Sequence, residues 1–170
     1  DFIQDGFSKA LETDFALSRG PYLQVTPPYK RGKTLAALIH EGILHPSFKR
    51  LDTSVLDDGT QVLPNNRPLY EHQVESIQKV VKGRNLLVAT GTGSGKTEAF
   101  LLPIINYLLA EGNAGTLNEP GVRTLLLYPM NALANDQVKR LKQLLTVFPE
   151  ITFGRYTGET KKDTKSALED

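Results

Sequence analysis

The sequence predicts an α/β fold built on a parallel sheet, with a mainly helical or irregular leader in front of it. Three observations carry that expectation. From Leu63 onward, short apolar runs suited to strands (Asn85 to Ala89, Thr124 to Tyr128 and Ile151 to Tyr156) alternate with longer stretches of helical spacing. The first run passes directly into the glycine-rich stretch Ala89-Thr90-Gly91-Thr92-Gly93-Ser94-Gly95-Lys96-Thr97. The resulting βαβαβ order implies right-handed crossovers, and it puts ligands at the carboxyl ends of the strands.

Residues 1–62 form the leader, without a βα rhythm and punctuated by Gly20-Pro21, Pro27-Pro28, Pro46 and Asp57-Asp58-Gly59. One helix stands out there. Thr34 to Glu41 carries Leu35, Leu38 and Ile39 at helical spacing, with Gly42 as its C-terminal cap. Its apolar stripe is expected to pack on the following domain, and no chemistry attaches to it.

The second unit, residues 63–170, opens with a helix from Glu71 to Lys82 that sets Val74, Ile77 and Val81 on one face and stops at Gly83. Strand Asn85 to Ala89 and the glycine-rich loop follow, then an amphipathic segment from Glu98 to Ala110 and a polar turn region from Gly112 to Gly121. Thr124 to Tyr128 is apolar enough for a strand buried on both faces, and Pro129 closes it. Ala132 to Val147 repeats Leu133, Val138, Leu141 and Leu144/Leu145 at helical spacing, and the third strand comes after Pro149.

At 170 residues, with 39% apolar and 23% charged side chains, the chain has room for one good core plus an appendage. No apolar run reaches the roughly eighteen residues of a membrane span, and the N-terminus is not signal-like. Absence of cysteine excludes disulfides and thiolate zinc sites within these residues, and the 3 histidines make no metal pattern. A soluble, cytoplasmic protein without a membrane partner is expected. A net charge of +1 gives no strong field for polyanions, so local clusters would have to hold one. Lys30/Arg31/Lys33, Lys139/Arg140/Lys142 and Lys161/Lys162/Lys165 are such clusters, each taken alone better read as solvated surface. The start at Asp1 and the charged end at Ala167 to Asp170 suggest a fragment of something longer.

The glycine-rich stretch points to a phosphate site. Glycines at alternate positions let backbone N–H groups converge on phosphate oxygens, and a helix N-terminus adds partial positive charge. Lys96 would reach the β and γ phosphates, and the Thr97 hydroxyl would hold magnesium. The strict Walker A spelling has glycine where Thr90 stands, while the Gly-Ser-Gly-Lys-Thr core is intact. Gly32-Lys33-Thr34 repeats the last tripeptide after Pro27-Pro28-Tyr29 instead of a strand and glycine loop, and is read as a helix start.

Four pieces in order, Leu69-Tyr70-Glu71-His72-Gln73, the phosphate loop, Tyr128 to Ala134, and Tyr156-Thr157-Gly158-Glu159-Thr160, resemble the first, RecA-like motor domain of superfamily 2 helicases. The likeness is to large bacterial DEAD/DEAH-box helicases of the DNA-repair and phage-defence kind, and it covers roughly Leu63 onward. Arg19 to Gln24 and on to Leu44 resembles their leader. The resemblance implies ATP with Mg²⁺, bound by Tyr70, Gln73, Thr90, Gly91, Thr92, Gly93, Ser94, Gly95, Lys96 and Thr97, with Lys96 and Thr97 catalytic and Thr97 on the metal. Gln73 would read adenine through one donor and one acceptor, or else sit on the exposed face of its helix. Tyr70 would stack near the base, or be a core tyrosine.

Pro129 and Asn131 match motif Ia, which touches a nucleic-acid backbone, although Met130-Asn131 replaces the usual Thr-Arg and brings no charge. Asn131 is also readable as a helix N-cap. Thr157 and Gly158 match the start of the motif Ib region, or a turn closing a strand. DNA is the expected strand ahead of RNA, and protein partners would belong to a repair or defence complex.

No Asp-Glu-x-Asp or Asp-Glu-x-His element occurs, and no second motor domain with an arginine finger. Since phosphoryl transfer depends on positioning and charge neutralisation, these residues alone are expected to hold ATP without cleaving it efficiently, with hydrolysis left to the full protein. The rival expectations are another P-loop NTPase, such as a kinase, a transporter ATPase or a AAA-type remodeller, and a vestigial nucleic-acid-binding regulatory module.

Overall fold

The computed structural model describes residues 2–12, 28–55, 59, 61–158 and 160. In order these form α1 (Phe2–Leu11), β1 (Arg31–Thr34), α2 (Leu35–His40), a 3-10 helix (Pro46–Thr53), β2 (Pro68–Tyr70), α3 (Glu71–Val81), α4 (Lys96–Ala114) and α5 (Asn131–Leu145). The Arg19 to Gln24 stretch and the Lys161/Lys162/Lys165 cluster lie outside the described residues.

The leader helix forms for the reasons its residues suggest. The Thr34 hydroxyl caps α2 by accepting from Ala37 N at 3.1 Å, Leu35, Leu38 and Ile39 are buried, and Gly42 takes φ 70° just past the end. Gly32 and Lys33 belong to strand β1 instead of a helix start, and Thr34 supplies the cap. Pro46, expected only to punctuate a loop, begins the 3-10 helix, whose Phe48 and Leu51 are fully buried.

One core joins leader and main unit. Leu35, Leu38, Phe48 and Leu51 share it with Ile77, Leu101, Leu102, Ile105 and Phe148. Phe48 meets Phe148 edge to face at 5.6 Å, and Arg50 lies over the Phe148 ring while pairing with Glu150 at 2.7 Å. Polar stitches follow the same path: Asn106 Oδ1 accepts from His45 N at 2.7 Å, and Asn113 bonds the His45 ring at 2.6 Å.

α3 ends as expected, with Gly83 at φ 72°, and buries Val74 and Ile77, but Val81 is exposed because the covering elements end before the last turn. α4 starts two residues before the expected Glu98 and runs past Ala110 to a glycine cap at Gly115. Pro103 lies within it, buried. At the far end of α4, hydrogen bonds from Tyr107 and then Arg123 hold the Glu111 carboxyl below its ordinary range, and Arg123 thereby ties the following loop to the helix. No helix among the described residues is long and apolar enough to cross a membrane.

The expected parallel sheet is not formed among the described residues. The sheet present is two-stranded and antiparallel, pairing Arg31 with Tyr70 and Thr34 with Pro68, so it fastens the leader to the start of α3. The segments at Asn85 to Ala89, Thr124 to Tyr128 and Ile151 to Tyr156 carry no ladder hydrogen bonds. In the first two, burial alternates residue by residue, the period of an extended chain: Leu86, Val88, Leu126 and Tyr128 are half-buried, while Leu87 is 91% and Leu127 81% exposed. Burial of Thr124 to Tyr128 on both faces is therefore corrected to one face. A strand of a parallel sheet needs neighbours beside it and helices on both sides, and the described helices cover one side.

Candidate functional site

The glycine-rich loop runs from Thr90 into the first turn of α4. Gly93 and Gly95 take φ 72° and 71°, a left-handed geometry that a Cβ would strain, and this turns the chain sharply into the helix. Gly95 also has no room, because a Cβ there would run into the Gln73 amide. Around Gly93 the space is open, with no heavy atom within 4 Å of a Cβ position. Open backbone at Gly93 and unpaired N–H groups at the start of α4 make a donor set suited to phosphate oxygens. Lys96, the first helical residue, turns its ammonium onto the Thr90 and Gly91 carbonyls at 2.9 and 2.6 Å.

Thr90, the departure from the usual spelling, has a local purpose. Its hydroxyl bonds the Ser94 hydroxyl at 2.6 Å across the loop, and Ser94 is fully buried. A glycine at position 90 could not close the loop this way. The Thr97 hydroxyl donates to Gln137 of α5 at 3.3 Å, and among the described residues no cluster of His, Cys, Asp or Glu could hold a metal ion. With only this long bond among the described residues, the Thr97 hydroxyl has the chemistry to be one ligand of a magnesium ion, whose other ligands would be phosphate oxygens and water.

Gln73 is 4% exposed, so it does not sit on an open helix face. Its Oε1 accepts from Tyr70 N at 2.8 Å, half of a capping box at the start of α3, and its Nε2 donates to the Gly95 carbonyl at 2.8 Å. The carboxamide is thus a joint between α3 and the loop. The second amide hydrogen makes a long bond to the Glu98 carboxylate at 3.5 Å, and Oε1 keeps a second lone pair.

Two residues were not foreseen. The His72 ring bonds the Ser94 carbonyl at 2.9 Å, and Tyr29 reaches the loop from the leader, its hydroxyl 2.8 Å from where a Cβ on Gly91 would stand. Tyr29 packs on Tyr70 and His72 with both ring separations at 5.4 Å, and Tyr70 stacks on His72 at 5.7 Å. His72 could have been found by its place beside Gln73. No local pattern marks Tyr29; the β1–β2 pairing and the Glu71 N–H on the Lys30 carbonyl at 2.9 Å bring it there.

Tyr70, Gln73, Thr90 to Gly95, Lys96 and Thr97 are therefore one cluster. Pro129 and Asn131 stand at the start of α5, and Thr157 and Gly158 follow Arg155, which bonds Asn135 of that helix. That helix begins at Asn131, so Met130, not Asn131, occupies the N-cap position. Tyr128, just before, has its pKa raised by burial. Thr157 closes a turn: its N–H donates to Thr160 Oγ1 at 2.8 Å, and Thr160 N donates back to its carbonyl at 3.1 Å. Arg155 bonds Asn135 at 2.7 Å, which holds this turn's segment against the first half of α5. Of the basic clusters, Lys33 pairs with Glu41 at 2.7 Å and Arg140 pairs with Glu98, while Lys139 and Lys142 sit on α5.

A glycine loop that ends on a helix N-terminus, with lysine at the first helical position, has the form of the P-loop class of proteins. The DEAD/DEAH box helicase family model matches residues 70–170, and the chain belongs to that family. It is 33% identical over 165 residues to the Druantia protein DruE of Escherichia coli (strain UMEA 4076-1), covering 88% of this chain and 9% of that protein. It is 29% identical over 102 residues to the ATP-dependent helicase HRQ1 of Saccharomyces cerevisiae, covering 58% of this chain and 9% of the relative. Similarity to the ATP-dependent RNA helicase DBP7 of Meyerozyma guilliermondii is 31% over 147 residues, covering 69% of this chain and 20% of the relative. The chain thus spans between 9% and 20% of the length of these relatives. No solved structure matches it.

Proposed function

We propose that the chain is the ATP-binding part of an ATP-dependent helicase or translocase that acts on nucleic acid, with DNA as the strand. The observation that carries this reading is the Gln73 joint. In a chain of the DEAD/DEAH box family, it fixes the start of α3 onto the carbonyl that precedes Lys96. The relatives named as ATP-dependent helicases support it.

In this reading Lys96 exchanges the Thr90 and Gly91 carbonyls for the β and γ phosphates, and the backbone from Gly91 to Gly95 cradles them. Gln73 reads the adenine edge, its second amide hydrogen exchanging the long Glu98 bond for the base and its Oε1 offering a second lone pair, with Tyr70 beside the base. Thr97, together with the phosphates, would hold magnesium, which would supply charge neutralisation at the transferred group. Pro129, Asn131, Thr157 and Gly158 contact the strand's backbone. The three unpaired segments become neighbouring strands of a RecA-like parallel sheet, with residues 63–170 as its part of the motor domain and residues 1–62 as the leader. Hydrolysis uses an acidic box and a second motor domain from elsewhere in the full-length protein, and a repair or phage-defence complex is the setting we propose.

The test is ATP hydrolysis by the full-length protein with single-stranded DNA, RNA or neither. DNA is expected to stimulate more than RNA, and Lys96→Ala to lower the rate by about a hundredfold or more. A rate indifferent to nucleic acid, or one that survives the substitution, overturns the reading.

A further inference from the structure

We infer that Glu98 is a positioning residue that couples the phosphate loop to α5 through Arg140, so that nucleotide and nucleic acid sense one another. The inference rests on the functional reading above. Glu98 is the third residue of α4, and its side chain is 14% exposed. A carboxylate this close to a phosphate loop repels a triphosphate unless something neutralises it. The Arg140 guanidinium, reaching across from α5, takes Oε1, while Oε2 faces the Gln73 amide at 3.5 Å. Both carboxylate oxygens are thus directed at different partners, one on the side of the base-reading glutamine and one on α5.

A second bond runs alongside. Thr97 Oγ1 donates to Gln137 Oε1 at 3.3 Å, and Gln137 and Arg140 stand three residues apart on one face of α5. Two consecutive residues at the start of α4 therefore grip two positions one helical turn apart on the next helix. α5 begins at Asn131, two residues after Pro129, and Asn135 in its first half holds Arg155, two residues before Thr157. A triphosphate that draws on Lys96 and Thr97 shifts the two grips, and α5 carries the shift to both proposed strand contacts. Linkage makes the effect reciprocal: the strand tightens the nucleotide by the same factor. Arg140, drawn by sequence into a basic cluster, then serves an intramolecular carboxylate instead of a phosphate backbone.

The test uses the full-length protein, with ATP hydrolysis measured over a titration of single-stranded DNA for wild type, Glu98→Gln, Arg140→Gln and the double variant. Each single substitution is expected to cut DNA stimulation about fivefold. The double variant should be no worse than the worse single one. The charge exchange Glu98→Arg with Arg140→Glu should restore part of the stimulation, a result that misfolding of the single variants could not produce. Additive losses, or an exchange that restores nothing, overturn the coupling. So does weaker DNA binding by Arg140→Gln alone, equal with and without nucleotide, since that marks a direct phosphate contact. A wild type without DNA stimulation overturns the functional reading itself, whereas a stimulated wild type whose variants keep their stimulation overturns only the coupling.

Discussion

The surroundings of Gly95 and those of Pro129 are built to different degrees of closure. At Gly95, hydrogen bonds from α3 and from the loop itself converge, the leader adds an aromatic ring, and a fully packed core lies beneath. At Pro129, the chain arrives from an unpaired segment, and Leu125, Leu127 and Met130 face outward. A loop capped by its own helix satisfies its polar groups from residues close at hand, whereas a strand depends on neighbours that the loop never needed. The Gly95 end thus closes its polar groups on one another, and the Pro129 end leaves apolar side chains exposed.

Substitutions on the two sides should separate sharply. Phe48 is fully buried against Phe148, where leader and main unit join, so Phe48→Ala is expected to cost about 3–5 kcal/mol in denaturant unfolding of this chain. Leu127→Lys, on the open side, should stay within about 0.5 kcal/mol of wild type in the same measurement. In the full-length protein, with the proposed sheet assembled, the same lysine should cost more than about 2 kcal/mol. A neutral Leu127→Lys in both settings would break the comparison, because the open face would then be ordinary surface and not an unfinished sheet.

Glycines offer a finer version. Gly95→Ala meets both a φ of 71° and the Gln73 amide, so about 2 kcal/mol of loop destabilisation is expected, read as a matching fall in nucleotide affinity by calorimetry. Gly158 has no heavy atom within 4 Å of a Cβ position and no left-handed φ. Gly158→Ala should leave nucleotide affinity unchanged. Equal effects at the two glycines would mean that the Gln73 joint does not organise the loop.

What the sequence made legible follows the same division. α2, α3 and α5 ended within a few residues of where apolar spacing and glycine caps put them, since those signals act over one or two turns. The glycine-rich loop's passage into a helix at Lys96 was legible for the same reason. Pro103 was no obstacle to α4, because the apolar residues on either side of it bury that stretch in the core. Tyr29 was out of reach: forty-one residues separate it from Tyr70, and only a strand pairing joins them. The parallel sheet is not formed among the described residues, for the opposite reason. Periodicity identified extended segments, but pairing is a property of neighbours, and no local pattern reports whether these are present.

The smallest expected effect tests how a departure from the usual motif is tolerated. Thr90 stands where the Walker spelling has glycine, and its hydroxyl bonds the fully buried Ser94 hydroxyl at 2.6 Å. Thr90→Val keeps the shape and removes that bond, leaving Ser94 with a buried hydroxyl short of a partner at a cost of about 1 kcal/mol. Thr90→Gly restores the common spelling and adds backbone freedom while losing the same bond. If the hydroxyl pair holds the loop, both variants should weaken nucleotide binding by roughly fivefold, with Gly no better than Val. If glycine instead binds more tightly than wild type, Thr90 obstructs the phosphates, and the closed network at Gly95 is a resting arrangement that nucleotide must open.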